Sequence, residues 1–227
     1  LLGLGEITRE MGRIGEAELL IRRAIDAAPE PRAAVLNQHG LVMQARGDLA
    51  GAATQFQKAM EVERQDPAAC VFLGTIRMAQ GQRDEAIRWF QVALERDPKY
   101  APAYVQLGLD HLARAEFREA ASRLQQAVDH DPRSPTAHFH LGRVLKQIGD
   151  WNAALKAFRK TAELKPQWVE ACFLHGEIAM ELSHMEEAVE ALEKAAQLCP
   201  IRHPLFGSVH TLLHRMKQRL LCDPMFA

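Results

Sequence analysis

Residues 66–98 read DPAACVFLGTIRMAQGQRDEAIRWFQVALERDP, and this stretch decides the fold. Asp66-Pro67 is a helix start: Asp serves as N-cap and Pro takes the first helical position, where an amide hydrogen has no intrahelical partner to lose. The helix runs to about Gln80, and Gly81 breaks it. A second helix begins near Arg83-Asp84 and ends before Asp97-Pro98. Gly74 in the first helix and Ala86 in the second let the two backbones approach closely, and Phe90 fills the space beyond. The stretch therefore reads as two short antiparallel helices, A and B.

Outward from this pair the same landmarks return at a fixed interval. Gly40, Gly74, Gly108, Gly142 and Gly176 are each 34 residues apart, and Gly5 precedes Gly40 by 35. Twelve residues after each glycine stands Ala17, Ala52, Ala86, Ala120, Ala154 or Ala188. Four further on comes Ile21, Phe56, Phe90, Leu124, Phe158 or Leu192, and three more gives Ala24, Ala59, Ala93, Ala127, Thr161 or Ala195. Pro29, Pro98, Pro132, Pro166 and Pro200 close five of the six repeats. A period in this range is the mark of a solenoid, in which each helix pair buries its apolar face only by stacking on its neighbours.

The spacing, with Gly, Ala, an aromatic, Ala and Pro at these offsets, resembles the tetratricopeptide repeat family. Tyr104-Val105-Gln106-Leu107-Gly108 and Trp151-Asn152-Ala153-Ala154-Leu155-Lys156-Ala157-Phe158 carry the likeness best. It covers about residues 1–200, with repeats at approximately 1–32, 33–66, 67–100, 101–134, 135–168 and 169–202. The expected fold is all-α: a right-handed superhelical solenoid of about six repeats. His203-Pro204 then starts a last helix in which Leu205, Val209, Leu212, Leu213, Met216 and Leu220 recur at helical spacing. Its other face carries His214, Arg215, Lys217 and Arg219, as expected of a cap over residues 203–227, with an interface for a second subunit as the alternative.

Departures from the pattern are local. Repeat 2 has Arg64 where a closing proline is expected, which predicts a longer helix B there. Ala115 and Ser183 replace the turn glycine. The early aromatic of helix A is Leu36, Cys70, Tyr104, His138 and Cys172 in turn.

The resemblance implies that helix A lines a concave groove with the residues three before the glycine and one, four and five after it. These are Asn37, Leu41, Gln44 and Ala45 in repeat 2, then Val71, Thr75, Met78 and Ala79 in repeat 3. Repeat 4 supplies Val105, Leu109, Leu112 and Ala113; repeat 5 supplies Phe139, Arg143, Lys146 and Gln147. Repeat 6 supplies Phe173, Glu177, Met180 and Glu181. Val71, Met78, Val105, Leu109, Leu112 and Phe139 make the middle of that row apolar. An exposed apolar strip is a binding surface for an amphipathic helix or extended peptide; the alternative is that some of these side chains pack between helices. Arg143 and Lys146 are placed to hold a ligand carboxylate, or to pair with Glu177 and Glu181. Some family members grip a terminal carboxylate with Lys and Asn; Asn37, Leu41, Val71, Phe72 and Thr75 at the matching positions leave that clamp unmade.

Chemistry of other kinds finds little footing. The 28 basic and 29 acidic residues give a net charge of −1, which argues against a nucleic-acid surface. No apolar run is long enough to span a bilayer. His210 and His214, one turn apart, and His138 and His140 lack companion ligands at metal spacing. Cys70 and Cys172 occupy one position of two repeats three apart, so they cannot bridge, and Cys199 and Cys222 lie near the C-terminal end. No phosphate loop, nucleophile elbow or converging carboxylate pair appears. No catalytic residue, cofactor or metal is expected.

The function expected is therefore an adaptor that holds a protein segment in an apolar groove. A second reading makes the chain the recognition domain of a larger glycosyl-, sulfo- or methyltransferase, and the opening Leu1-Leu2-Gly3-Leu4-Gly5, inside a helical pattern, reads as a trimmed start. A third is a scaffold that self-assembles through its terminal repeats. The compartment expected is the cytoplasm, with the bacterial periplasm as the alternative.

Overall fold

A computed structural model describes residues 2–27, 30 and 32–222, apart from the side chains of residues 10 and 219–222. Pro29 and the side chains of Arg219, Leu220 and Cys222 thus lie outside what is described. Among the described residues there are thirteen helices and no strand: α1 (Leu2–Glu10), α2 (Ile14–Asp26), α3 (Ala33–Ala45), α4 (Leu49–Val62), α5 (Pro67–Ala79), α6 (Arg83–Arg96), α7 (Ala101–Ala113), α8 (Phe117–His130), α9 (Pro135–Ile148), α10 (Trp151–Leu164), α11 (Val169–Glu181), α12 (Met185–Leu198) and α13 (Phe206–Cys222). They fall into two compact units, Leu1–Leu107 and Gly108–Ala227, with the boundary inside α7.

The pairing mechanism is the one the landmarks predict. Asp66 caps α5 by accepting from the Ala68 amide at 2.8 Å, with Pro67 at the first position. Gly74 lies so close to α6 that an added Cβ would stand 2.4 Å from Phe90 Cε1 and 3.1 Å from the Ala86 carbonyl oxygen. Ala86, Phe90 and Ala93 are fully buried. Gly40 repeats this against Phe56, and Gly142 and Gly176 against Phe158 and Leu192.

The turn from helix A to helix B is the same in every repeat. The residue just after the left-handed one donates its amide back to a carbonyl in the last turn of helix A, as Gln82 does to Arg77 at 2.9 Å and Asp150 to Leu145 at 3.0 Å. Gly81 and Gly149 supply the positive φ without cost, at 77° and 90°. Ala115 and Ser183 are driven to 58° and 61° by the same bonds, Glu116 to His111 and His184 to Ala179. Local packing, not local preference, sets the backbone at these two positions.

One sequence expectation fails. Helix B of repeat 2 does not run longer for want of a proline: α4 ends at Val62 and has the same 14 residues as α6. Glu63 leaves the helical region, and the Asp66 amide closes a turn onto its carbonyl at 3.2 Å. Tyr100 onto Asp97 and Trp168 onto Lys165 make the same turn. The next helix start fixes the stop, so the proline is dispensable.

In the second unit, α13 packs on α12. Val209 and Met216 are fully buried in one apolar cluster with Leu192 and Ala195, while His210, His214, Arg215 and Lys217 stay exposed.

Candidate functional site

Relative to the repeat glycine, the inner positions of helix A sort into three levels of exposure. At three before it, Asn37, Val71, Val105, Phe139 and Phe173 are all buried, at 3–8% exposure. At one and four after it, Leu41, Gln44, Thr75, Met78, Leu109, Leu112, Lys146, Glu177 and Met180 are half-buried, and Arg143 is exposed. At five after it, Ala45, Ala79, Ala113, Gln147 and Glu181 are exposed. The apolar row is thus not one open strip. Its Val71, Val105 and Phe139 belong to the packing, which is the alternative that the sequence left standing, and Phe173 joins them.

Three members of the sealed row meet the residue 29 positions later, at the start of the next helix A. Asn37 donates to the Asp66 carboxylate at 2.9 Å. Val71 shares an apolar cluster with Tyr100. Phe139 stacks on Trp168, with ring centroids 4.3 Å apart. Polar meets polar, and apolar meets aromatic. In these three repeats the pairing falls at a 29-residue offset, a signal the repeat landmarks did not reveal. Burial pushes the Tyr100 hydroxyl up to about 12, with Asp66 and Asp97 adding to the effect.

A second regularity concerns the early aromatic position. Tyr104 donates its hydroxyl to the Pro98 carbonyl at 3.0 Å, His138 Nε2 lies 3.0 Å from the Pro132 carbonyl, and Cys172 Sγ meets that of Pro166 at 3.7 Å. The three side chains differ in size but each brings a polar tip to the preceding proline. Burial raises the thiols of Cys70 and Cys172, which makes them poor nucleophiles.

In the second unit the two cations of α9 part company. Lys146 forms an ion pair with Glu177 of α11. Arg143 has no carboxylate partner among the described residues; its guanidinium carbon lies 6.0 Å from the Phe139 ring centroid, a loose cation–π contact. His140 is packed edge-on against Phe139, its Nδ1 is buried with no hydrogen-bond partner, and burial, then Arg143, lowers its pKa to about 4. It is neutral at physiological pH.

A cavity of about 530 Å³ in the same unit is lined by Arg159, Cys172, His175, Glu187, Glu190 and Lys194 among others. Glu187 is its centre: Arg159 donates twice, each at 2.8 Å, and His175 Nε2 lies 2.6 Å away. Burial opposes ionisation of Glu187, but these hydrogen bonds outweigh it and hold its pKa low. A carboxylate so fully engaged is a structural clasp, not a general base. No group of three or more His, Cys, Asp or Glu among the described residues is placed to hold a metal ion, and no described helix is long and apolar enough to cross a membrane.

Three family models, each described as tetratricopeptide repeat, match residues 43–108, 105–167 and 169–202. No curated protein matches the sequence. Among solved structures, MamA is 26% identical, with a TM-score of 0.55 over 70% of this chain and 93% of that one. Yeast Tom70 is 15% identical, with a TM-score of 0.75 over 93% of this chain and 45% of that one. YrrB, described as a TPR protein with an unusual peptide-binding site, is 23% identical, with a TM-score of 0.53 over 87% and 97%.

Proposed function

The chain belongs to the tetratricopeptide repeat family, and on that premise we propose that it is a protein-interaction scaffold that holds a peptide or amphipathic helix on the inner rows of its A helices. Proteins of this family are interaction scaffolds, and the fold is typically non-catalytic. The observation that carries the reading is the grading of exposure. The positions one and four after the glycine remain partly open in every repeat from the second to the sixth, while the row beside them is sealed.

Leu41, Met78, Leu109, Leu112 and Met180 are the apolar members of the open rows. Half-buried leucine and methionine side chains offer a ligand adaptable apolar contact, and they need no rearrangement of the core to do so. Asn37, Val71 and Phe139 act beneath them by packing against the start of the next A helix. In the second unit Arg143 supplies a cation for an acidic group of the ligand, whereas Lys146 is engaged by Glu177.

Affinity capture from the source lysate tests this with Leu112→Glu and Met180→Glu beside the wild type. Circular dichroism first establishes that both variants fold, as substitutions at half-buried positions should. A protein retained by the wild type and lost by either variant supports the inner rows as the binding surface. Retention of the same proteins by all three forms sinks that assignment.

A further inference from the structure

Trenches between successive B helices occur in both units, and one in the first unit is lined by residues that the repeat does not require. It is a cavity of about 470 Å³ between α4 and α6, lined by Gln57, Met60, Glu61, Arg64, Trp89 and Arg96. Gln57, Met60 and Glu61 form one stripe on α4, and Arg64 follows in the turn beyond it. Arg64 stands 24 residues after its glycine, where the other five repeats have proline, and α4 ends without one. Trp89, at 15 after its glycine, is matched elsewhere by Leu20, Gln55, Arg123, Ala157 and Ala191, so the helix pair needs no aromatic there. Arg96, at 22 after its glycine, stands where α4, α10 and α12 have Val62, Leu164 and Leu198. Three departures from the pattern thus line one cavity.

The trench between α10 and α12 shows the contrast. There Ala162 and Ala191 stand in the places of Met60 and Trp89, and Glu163, Glu186, Glu187 and Glu190 line the walls. Between α4 and α6 the floor is the half-buried Met60 and Trp89, both packed on the core beneath. Arg96 donates through Nη1 to the Asp66 carbonyl at 3.0 Å, which holds its guanidinium in place and uses one of its five N–H donors. Arg64 is exposed and has no ion-pair partner among the described residues. Two cations thus stand against the single carboxylate of Glu61.

We propose that this cavity binds a small aromatic carboxylate, with its ring on Trp89 and Met60 and its carboxylate between Arg64 and Arg96. An aromatic floor favours a flat apolar body, and paired guanidinium groups favour a planar anion. The volume falls in the range of small-molecule sites, roughly 300–1,000 Å³. The site lies between B helices, apart from the inner rows of the A helices, so it stands or falls independently of them.

Titration of the isotope-labelled chain with cinnamate, followed by its amide and indole NMR signals, tests this, with cinnamyl alcohol as the uncharged counterpart. Cinnamate should give saturable shifts confined to the end of α4 and to α6, and bind about tenfold more tightly than the alcohol. Arg64→Gln should weaken cinnamate about tenfold and leave the fold intact, because the side chain is exposed. Trp89→Leu, which copies Leu20, should weaken it about fivefold. Lys58→Gln removes a cation outside the cavity and should change nothing. Absence of saturable shifts up to about 10 mM overturns the proposal, as does equal binding of acid and alcohol or an unchanged affinity in Arg64→Gln. Tighter binding of a short acetylated peptide ending in phenylalanine also overturns it, by giving the cavity to a chain terminus.

Discussion

Helices α5 and α9 stand in the same register of their repeats and pack alike, yet they offer different surfaces. Both bring a glycine onto a phenylalanine of the following helix, Gly74 onto Phe90 and Gly142 onto Phe158. Three residues before the glycine each buries an apolar side chain, Val71 or Phe139. Beyond that they diverge. α5 shows Thr75 and Met78, whereas α9 shows Arg143 and Lys146 and has a half-buried His140 where α5 has the half-buried Phe72. The repeat thus separates two sets of residues: one fixes the helix pair and tolerates little, the other stays partly open and is free to vary.

The largest effect that could break this division is at Phe139. If the sealed row is structural, Phe139→Ala should cost about 3–5 kcal/mol in urea denaturation through lost stacking on Trp168 and a cavity beside Phe158. A variant of unchanged stability would move Phe139 into the ligand surface.

Next come the glycines. An added Cβ at Gly74 meets Phe90 at 2.4 Å, but at Gly142 it meets Phe158 at 2.9 Å. Both Gly→Ala changes should destabilise by roughly 1–3 kcal/mol, with Gly74 the costlier. Equal effects would show that the phenylalanine rings adjust freely.

His140 distinguishes α9 by pH. Its folded pKa, about 4, lies below its ordinary value of 6.5, so between the two the unfolded chain binds more protons. The stability it contributes is complete above pH 6.5 and is lost as the pH falls towards 4. His140→Phe, which copies Phe72, should reduce the wild type's fall in stability over that window by roughly 1–2 kcal/mol. An identical acid profile would mean that the imidazole finds a proton acceptor when charged.

The turns predict a gain. Ala115→Gly and Ser183→Gly should each stabilise by about 0.5–1 kcal/mol by relieving the left-handed backbone that Gly81 and Gly149 adopt freely. Smallest is Lys146→Ala, at no more than about 1 kcal/mol, because its pair with Glu177 is partly solvated.

Much of this was legible in the chain. Asp66-Pro67, the 34-residue glycines and the Ala-x-x-x-Phe spacing state the helix pairs directly, because close backbone approach admits few residue types. Which inner residues stay open was not legible. Whether Val71 faces a ligand or Tyr100 depends on the angle between neighbouring A helices, and no single repeat encodes it. The split between Lys146 and Arg143 was hidden for the same reason: Glu177 selects one of two equally spaced cations only when the stack is built. The left-handed Ala115 and Ser183 were visible as anomalies, but propensity alone would have moved the turn.

The central claim is that the positions one and four after each glycine hold a protein ligand while the outer helices do not. Its most direct test places a photo-crosslinking amino acid at Met78 or Met180, and at the exposed Arg88 or Glu190 of the B helices as controls. After irradiation in the source lysate, the inner positions should capture a specific protein that the outer positions do not. Capture at Arg88 or Glu190 alone, with none at Met78 or Met180, would contradict the account.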